Sequence, residues 1–163
     1  MRDRHKIFLS VIVPTKNNKK DILPVLLDIH QHLKNQPYRS EIIVVDDNSE
    51  DDTQEMVQRY QHLISNLKFI NNRYSLGKDF TVRQAMLLAK GDWRLLLSPI
   101  NYVSVVEFNK IISHSQKGFQ VFKSYSEHFQ CFSAKAAENI FSQNNNLLDF
   151  PIKQFIANTI KLC

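Results

Sequence analysis

Short apolar runs rich in β-branched residues alternate with amphipathic segments through the first two thirds of the chain. The runs FLSVIVP, EIIVVDD, LKFINN and DWRLLLS each have the length of a buried strand. Helical patterns fill 19–33, 49–60 and 76–90, with Ser49 as the expected N-cap of the second helix and Gly91 as the C-cap of the third. Strands that are apolar on both faces, each followed by a helix, predict an α/β fold with a mostly parallel sheet flanked by helices. In the first helix the apolar residues form one stripe: Ile22, Val25, Leu26, Ile29 and Leu33.

The last third of the chain departs from this alternation. Residues 103–113 have a helical pattern, and GFQVFKSYS and HFQCFS predict two strands joined by a short turn, an edge hairpin. We expect a helix over 134–141, a loop at the run of three asparagines, and a final helix over 149–160 with Pro151 in its first turn. No repeat, low-complexity segment or linker divides the chain, so residues 1–163 predict a single domain.

Composition narrows the class of protein. Hydrophobic residues make up 43% of the chain and charged residues 23%, which is typical of a soluble globular protein and excludes disorder. The apolar run near the N-terminus is too short to span a membrane and is closed by Pro14, and no cleavage site follows it. The two cysteines have no zinc or disulfide spacing. These features predict a cytoplasmic protein with at most peripheral contact at the inner face of a membrane.

A formal net charge of +5 favours anionic partners, such as nucleotide phosphates, nucleic acid or an anionic membrane surface. The lysines and arginines are spread along the chain, so the charge is also typical of a mildly basic domain with no specific partner. No nucleic-acid-binding motif is present, and we expect no nucleic-acid partner. The aromatic residues of the hairpin are interpreted as core-facing strand positions and not as a base-stacking surface: Phe119, Phe122, Tyr125, Phe129 and Phe132.

Two acidic residues follow the second strand directly, in Asp46-Asp47-Asn48-Ser49. Ligands of parallel sheets bind at the carboxyl ends of the strands, where these carboxylates can accept hydrogen bonds from a base or a ribose. The alternative is that both carboxylates only cap the following loop and helix. Spacing alone leaves the two interpretations open.

Basic residues follow the first strand and begin the third helix. Lys16, Lys19 and Lys20 lie near an expected helix N-terminus, which is a natural phosphate site, although a solvated basic turn has the same pattern. Lys78 follows a glycine and Arg83 follows a turn or so later, but the segment matches neither the P-loop nor the dinucleotide fingerprint. The six histidines are scattered, and no metal site is predicted.

Three segments together resemble the family 2 glycosyltransferases, which have the Rossmann-like GT-A fold. These segments are SVIVPTKNN, EIIVVDDNSEDDT and NNRYSLGKDFTVRQAMLLAKGDW. With FQCFSAKAAENIF the resemblance covers about residues 8–141 and is nearest to the dolichyl- and polyprenyl-phosphate sugar synthases. It implies transfer of a sugar from a UDP- or GDP-sugar, with the base held near the first two strand ends and the diphosphate toward the third helix. The nucleotide-binding set that it implies is Pro14, Thr15, Lys16, Asn17, Asp46, Asp47, Asn48, Lys78 and Arg83.

One departure from the family pattern concerns the metal. The resemblance implies a divalent Mg or Mn ion on a DxD motif after the fourth strand, but this chain has Ser98-Pro99-Ile100 there. The segment that follows is short, its only acids are Glu107 and Glu127, and no catalytic residue is identified.

These departures favour a catalytically impaired relative, a pseudoenzyme that binds a nucleotide-sugar as a sensor or regulates an active glycosyltransferase. The alternative is an active minimal glycosyltransferase that transfers the sugar to a polyprenyl phosphate or another acceptor. Either hypothesis allows a protein partner or a homo-oligomer that completes the site.

Overall fold

The computed structural model describes residues 6–100, 102, 104–109, 121–124, 129–142 and 159–162. In chain order, the elements are β1 (Ile7–Thr15), α1 (Ile22–Lys34), β2 (Arg39–Asp46), α2 (Thr53–Gln61), β3 (Leu67–Asn71), α3 (Lys78–Leu88), β4 (Trp93–Leu97), a 3₁₀ turn (Val105–Glu107), β5 (Val121–Ser124), β6 (Phe129–Ser133), α4 (Ala134–Ser142) and β7 (Thr159–Leu162). In this part of the chain, no helix combines the length and the apolar character that crossing a membrane requires.

The strands form one mixed sheet in the order β3-β2-β1-β4-β6-β5-β7. The first four in this order are parallel, whereas β6 is antiparallel to both β4 and β5. Thr15 lies opposite Asp46, and Asp46 lies opposite Asn71, so the carboxyl ends of β1, β2 and β3 are level with one another. The predicted mostly parallel sheet is confirmed, and the loops that leave it meet at one edge.

Both faces of the sheet are covered, because side chains of a strand alternate between its two faces. One face carries residues such as Val11 and Val44 and packs against α1 and α2. The other face carries residues such as Ile12 and Ile43 and packs against α3 and α4. The predicted stripe of α1 is confirmed, since all five of its apolar residues are buried in the first cluster.

Three helix starts lie later in the chain than predicted, and the smallest difference is in α3, which begins at Lys78 and not at 76. Helix α1 begins at Ile22 and not at 19, because the Asn18 carbonyl accepts the N–H groups of Asp21 and Ile22 in a preceding turn. Helix α2 begins at Thr53 and not at 49, so the prediction of Ser49 as its N-cap is wrong. The Asp51 carboxylate accepts the Thr53 N–H at 3.0 Å instead.

The prediction of Gly91 as a helix C-cap is also wrong. Helix α3 ends at Leu88, and the next residue, Ala89, is already extended. A Cβ at Gly91 would lie 2.5 Å from the Ser10 backbone nitrogen. Glycine is therefore required at this position because the turn before β4 approaches the backbone of β1.

The predicted hairpin forms, but its position at the sheet edge is wrong. Strands β5 and β6 pair antiparallel, yet β6 also pairs with β4, and β5 also pairs with β7. The end of the predicted helix 149–160 falls in β7, because those residues extend the sheet beside β5. Some predictions fall outside the described residues: the loop at the asparagine run, the helix over residues 149–158, and the core positions of Phe119 and Tyr125.

The other predictions for the last third are met where the structure describes them. Helix α4 matches the helix expected over 134–141. Within the segment expected to be helical over 103–113, Val105–Glu107 form a 3₁₀ turn, and residues 103 and 110–113 lie outside the described residues. Phe129 and Phe132 are buried on opposite faces of the sheet, in agreement with their interpretation as core residues.

The buried carboxylate of Glu41 joins several strands of the sheet. It lies at the opposite end of the sheet from the carboxyl ends of β1, β2 and β3. Glu41 is 2% exposed and accepts hydrogen bonds from the Ser10 hydroxyl at 2.6 Å, the Lys68 ammonium at 2.6 Å and the Lys90 N–H at 2.7 Å. Burial by itself would raise the pKa of Glu41, but these hydrogen bonds outweigh it and hold the pKa below its ordinary value. Glu41 thus fixes β1, β2, β3 and the turn before β4 to one another.

Candidate functional site

A cavity of about 230 Å³ lies at the carboxyl ends of the parallel strands. Its walls come from the last residues of β1 and β4, the loops after β1, β2 and β4, the first turn of α3, and one residue of β6. The lining residues are Pro14, Thr15, Lys16, Asn18, Asp47, Lys78, Thr81, Leu96, Leu97, Ser98, Pro99, Ile100 and Gln130. Five of the nine predicted nucleotide-binding residues therefore line one cavity: Pro14, Thr15, Lys16, Asp47 and Lys78.

The loop after β1 is shaped by two asparagines. The Asn18 side-chain oxygen accepts hydrogen bonds from the Thr15 hydroxyl and the Lys16 N–H, both at 3.0 Å. Asn17 adopts a φ of 53°, a left-handed conformation that asparagine tolerates. Its N–H donates to the Ser49 hydroxyl and its side-chain oxygen accepts the Glu50 N–H, each at 2.8 Å. Asn17 therefore ties the first loop to the second and does not line the cavity.

Asp46, the first carboxylate of the acidic pair, stabilises the turn over residues 46–49. Asp46 is fully buried, and its two oxygens accept the Ser49 N–H at 2.7 Å and the Ser49 hydroxyl at 2.5 Å. Asn48 lies inside this turn with a φ of 58°. Neither Asp46 nor Asn48 lines the cavity, and this turn is the physical reason: it directs the Asp46 carboxylate at Ser49.

The second carboxylate organises the loop that leads into α3. Asp47 is 3% exposed, and its oxygens accept the Leu76 N–H at 2.7 Å and the Gly77 N–H at 3.1 Å. The other donors to the Asp47 carboxylate are the Ser75 hydroxyl at 2.8 Å, the Thr81 hydroxyl at 3.1 Å and the Asn72 side-chain amide at 3.4 Å.

These contacts also set the charge of Asp47. Burial by itself would raise the pKa of Asp47, but the hydrogen bonds from Leu76, Ser75 and Gly77 outweigh it, and the pKa lies below its ordinary value. Asp47 is therefore an anion whose acceptor sites are filled by the protein, since a carboxylate has about four.

Two lysines supply positive charge to the cavity. Lys16 Nζ lies 2.5 Å from the Ser75 hydroxyl and 3.7 Å from Asp47 Oδ2, with the side chain 46% exposed. Lys78 is the first residue of α3, where the helix dipole adds partial positive charge. Lys19 does not line the cavity and forms an ion pair with Asp52, which raises the pKa of Lys19. Two cations and one carboxylate leave the lining of the cavity with a net positive charge.

Arg83 does not lie where the resemblance implies. Its Nε donates to the Phe141 carbonyl at 2.7 Å and its guanidinium also reaches the Ser142 carbonyl at 3.5 Å. The last carbonyls of a helix attract a cation, so Arg83 joins α3 to the C-terminal end of α4 and does not line the cavity.

The family follows from a direct comparison of sequences. The sequence model described as Glycosyl transferase family 2 matches residues 10–98. This chain belongs to glycosyl transferase family 2. The match contains β1 from Ser10 onward and all of β2, β3 and β4. Of the residues that line the cavity, only Gln130 of β6 and the two residues after Ser98 lie outside it.

Relatives in the family include dolichyl-phosphate sugar synthases, in agreement with the resemblance. A dolichyl-phosphate beta-glucosyltransferase of Saccharomyces cerevisiae is 31% identical over 125 residues, which are 71% of this chain and 36% of that protein. One from Dictyostelium discoideum is 29% identical over 112 residues, which are 64% of this chain and 34% of that protein. The chain thus spans about a third of the length of these curated relatives.

Solved structures of GT-A glycosyltransferases confirm the GT-A fold. TarS of S. aureus, residues 1–349 in complex with UDP-GlcNAc, is 26% identical with a TM-score of 0.59 over 72% of this chain and 34% of that chain. Mannosyltransferase PcManGT of Pyrobaculum calidifontis, in complex with GDP-Man and Mn2+, is 17% identical with a TM-score of 0.64 over 83% of this chain and 47% of that chain.

The divalent ion that the family implies does not fit the residues of this cavity. Directly after β4, the cavity wall consists of Ser98, Pro99 and Ile100, which offer no carboxylate, whereas Mg²⁺ and Ca²⁺ are held by carboxylate and other oxygen ligands. Asp47 is the one acidic residue of the lining, and its oxygens are taken by protein donors. In the part of the chain that the structure describes, no group of three or more His, Cys, Asp or Glu residues could hold a metal.

Several lining residues escaped the sequence prediction. Asn18 and Thr81 are polar residues within the quoted motifs, but their spacing gives no signal that distinguishes them from solvent-exposed neighbours. Gln130 enters the cavity wall because β6 pairs with β4 and places it opposite Leu96. No local pattern in the sequence could have identified Gln130, since its position depends on the order of strands in the sheet.

Proposed function

We propose that this chain binds a nucleotide-sugar, UDP- or GDP-linked, in the cavity and that it is catalytically impaired. The observation that carries the proposal is the pair of lysines beside a cavity wall in which Ser98 and Ile100 replace the two carboxylates of the DxD motif. The fold also supports the proposal, since TarS and PcManGT, which have a similar fold, were solved with UDP-GlcNAc and GDP-Man. The chain would act as a nucleotide-sugar sensor or as a regulator of an active glycosyltransferase.

Eight of the nine predicted nucleotide-binding residues have one of two roles in this proposal, and Arg83, which bonds to α4, has neither. Pro14 and Thr15 contact the nucleoside, and Lys16 and Lys78 contact the diphosphate, because all four line the cavity. The remaining acidic and amide residues hold the loops in place through the hydrogen bonds described above: Asn17, Asp46, Asp47 and Asn48.

Impairment follows from the chemistry of the leaving group. Transfer of a sugar from its nucleotide leaves a diphosphate, and a bound metal ion stabilises that developing charge by several kcal/mol. A loss of about 4 kcal/mol lowers the rate roughly a thousandfold. The lining of this cavity holds no carboxylate free to bind such an ion, and no catalytic base is identified among its residues.

Calorimetric titration with UDP-glucose, GDP-mannose and the free nucleotides tests the binding. The variant Ser98→Trp fills the cavity and should abolish binding, whereas Ser65→Trp, in an exposed turn before β3, is the matched control and should leave it unchanged. If no nucleotide binds, or if both variants behave alike, the site is assigned wrongly.

A second candidate is an active minimal glycosyltransferase that transfers sugar to a polyprenyl phosphate. The similarity to dolichyl-phosphate beta-glucosyltransferases favours it. A lipid-linked acceptor would bring the chain to the inner face of a membrane, and a protein partner or a second copy would have to complete the acceptor side. Incubation with radiolabelled UDP-glucose and a polyprenyl phosphate distinguishes the two, because any labelled lipid product contradicts the impaired state.

A further inference from the structure

We propose that the cavity binds the diphosphate of its ligand without a divalent cation, with the ammonium groups of Lys16 and Lys78 providing the positive charge. The inference rests on the proposed nucleotide binding and specifies how the anion is held. It is a departure from the metal-bound state in which PcManGT was solved.

The first argument is the position of Lys16. Its ammonium is held at the wall of the cavity by the Ser75 hydroxyl at 2.5 Å and lies 3.7 Å from Asp47 Oδ2. An ammonium group has three donors, so after the bond to Ser75 it retains donors for phosphate oxygens. At 46% exposure the Lys16 side chain is accessible to a ligand while its position is restricted by these contacts.

The second argument is that the same ammonium excludes a metal. A divalent ion needs carboxylate oxygens, and the acidic residue of the lining is Asp47. An ion at Asp47 would have to displace backbone donors from Leu76 and Gly77, and it would also meet the repulsion of the Lys16 charge a few ångströms away.

The third argument is the first turn of α3. Lys78 begins this helix of 11 residues and lines the cavity, so its side chain and the positive end of the helix dipole act on the same space. Lysine is a common phosphate ligand that acts as a point charge. Lys16 and Lys78 therefore line the cavity from two different segments, the loop after β1 and the first turn of α3.

The test is calorimetric titration of the full chain with UDP and with GDP, in EDTA and in excess manganese. We expect the dissociation constant in EDTA to lie within about twofold of the value in manganese. In EDTA, Lys16→Gln and Lys78→Gln should each weaken binding roughly tenfold, the effect expected for loss of a charged hydrogen bond. Lys34→Gln, an exposed lysine at the end of α1, is the charge-matched control and should bind like the parent.

The outcomes separate this inference from the proposed function. Binding that requires manganese overturns the metal-free mode and leaves nucleotide binding intact. Lysine variants that bind as well as Lys34→Gln overturn the role of the two ammonium groups. Absence of binding in both conditions overturns both proposals. Lys16→Arg keeps the charge and should retain most of the affinity, which separates an electrostatic effect from misfolding.

Discussion

Removal of the Asp47 carboxylate tests whether this residue organises the site. Asp47 is 3% exposed, and the Asp47→Ala change deprives five donors of their acceptor. Three of these donors, Leu76 N, Gly77 N and the Ser75 hydroxyl, lie in a loop where water can replace the carboxylate. The Thr81 hydroxyl has a second acceptor in the Gly77 carbonyl at 3.0 Å.

The magnitude follows from how many donors stay buried without a partner. A buried donor that loses its partner costs about 1–3 kcal/mol, and the donor concerned here is the Asn72 amide, which keeps only a long bond of 3.4 Å to the Thr81 hydroxyl. The Lys16 ammonium is half exposed, so the loss of its ion pair with Asp47 adds little. We therefore expect Asp47→Ala to lower the free energy of unfolding by about 2 kcal/mol at pH 7.

The pH dependence of this difference has a definite sign. The pKa of Asp47 in the folded chain lies below its ordinary value of 3.8, so the charged form stabilises the fold. This stability is fully present well above pH 3.8 and is lost as the pH falls from there through the folded pKa. The difference between the parent and Asp47→Ala should therefore be constant from pH 5 to 7 and shrink below about pH 4.

Urea unfolding followed by circular dichroism measures both effects, since a change in the midpoint at constant slope reports stability. Asp52→Ala is the matched control, because Asp52 is 58% exposed and its ion pair with Lys19 is on the surface. A loss of less than about 1 kcal/mol for Asp47→Ala, equal to that of the control, would refute the organising role.

Three further changes test other features. Glu41→Gln should lower the free energy of unfolding by about 2 kcal/mol in the same urea assay, since Glu41 is buried and accepts three hydrogen bonds, whereas exposed Glu55→Gln should have no measurable effect. Gly91→Ala should cost about 2 kcal/mol in thermal unfolding, and an unchanged melting temperature would contradict the close contact with β1. The double change Ser98→Asp with Ile100→Asp should make nucleotide binding stronger in manganese, and calorimetry that finds no manganese effect would contradict the assignment of this position.

Much of the fold could be predicted because its signals are local. Buried parallel strands need apolar residues on both faces, and a surface helix needs one apolar stripe. The sequence therefore predicts β1 to β4 and the stripe of α1. Helix ends were less accurate. Ser49 has the residue type of an N-cap, but its hydroxyl and N–H bond to Asp46, because the turn between them closes before the helix begins.

The candidate site likewise has features that local sequence patterns predict and features that they do not. The carboxyl ends of parallel strands meet at one edge, which is why Thr15, Asp47 and Lys78 could be grouped from the sequence. Adjacent residues at a strand end point to opposite sides, however, so the two carboxylates of the acidic pair separate. Asp46 accepts hydrogen bonds from a residue three positions later, whereas Asp47 accepts them from the loop before α3 and from Thr81 in α3, 25–34 residues later in the chain.

The sequence by itself therefore determined the class of fold, the family and the edge of the sheet at which a ligand would bind, since each depends on patterns within one segment. Only the tertiary structure decided which side chains face the cavity. Arg83 turns to the carbonyls of α4, and Gln130 enters the wall because β6 pairs with β4. Such positions depend on contacts between segments far apart in the chain, and no local residue pattern encodes them.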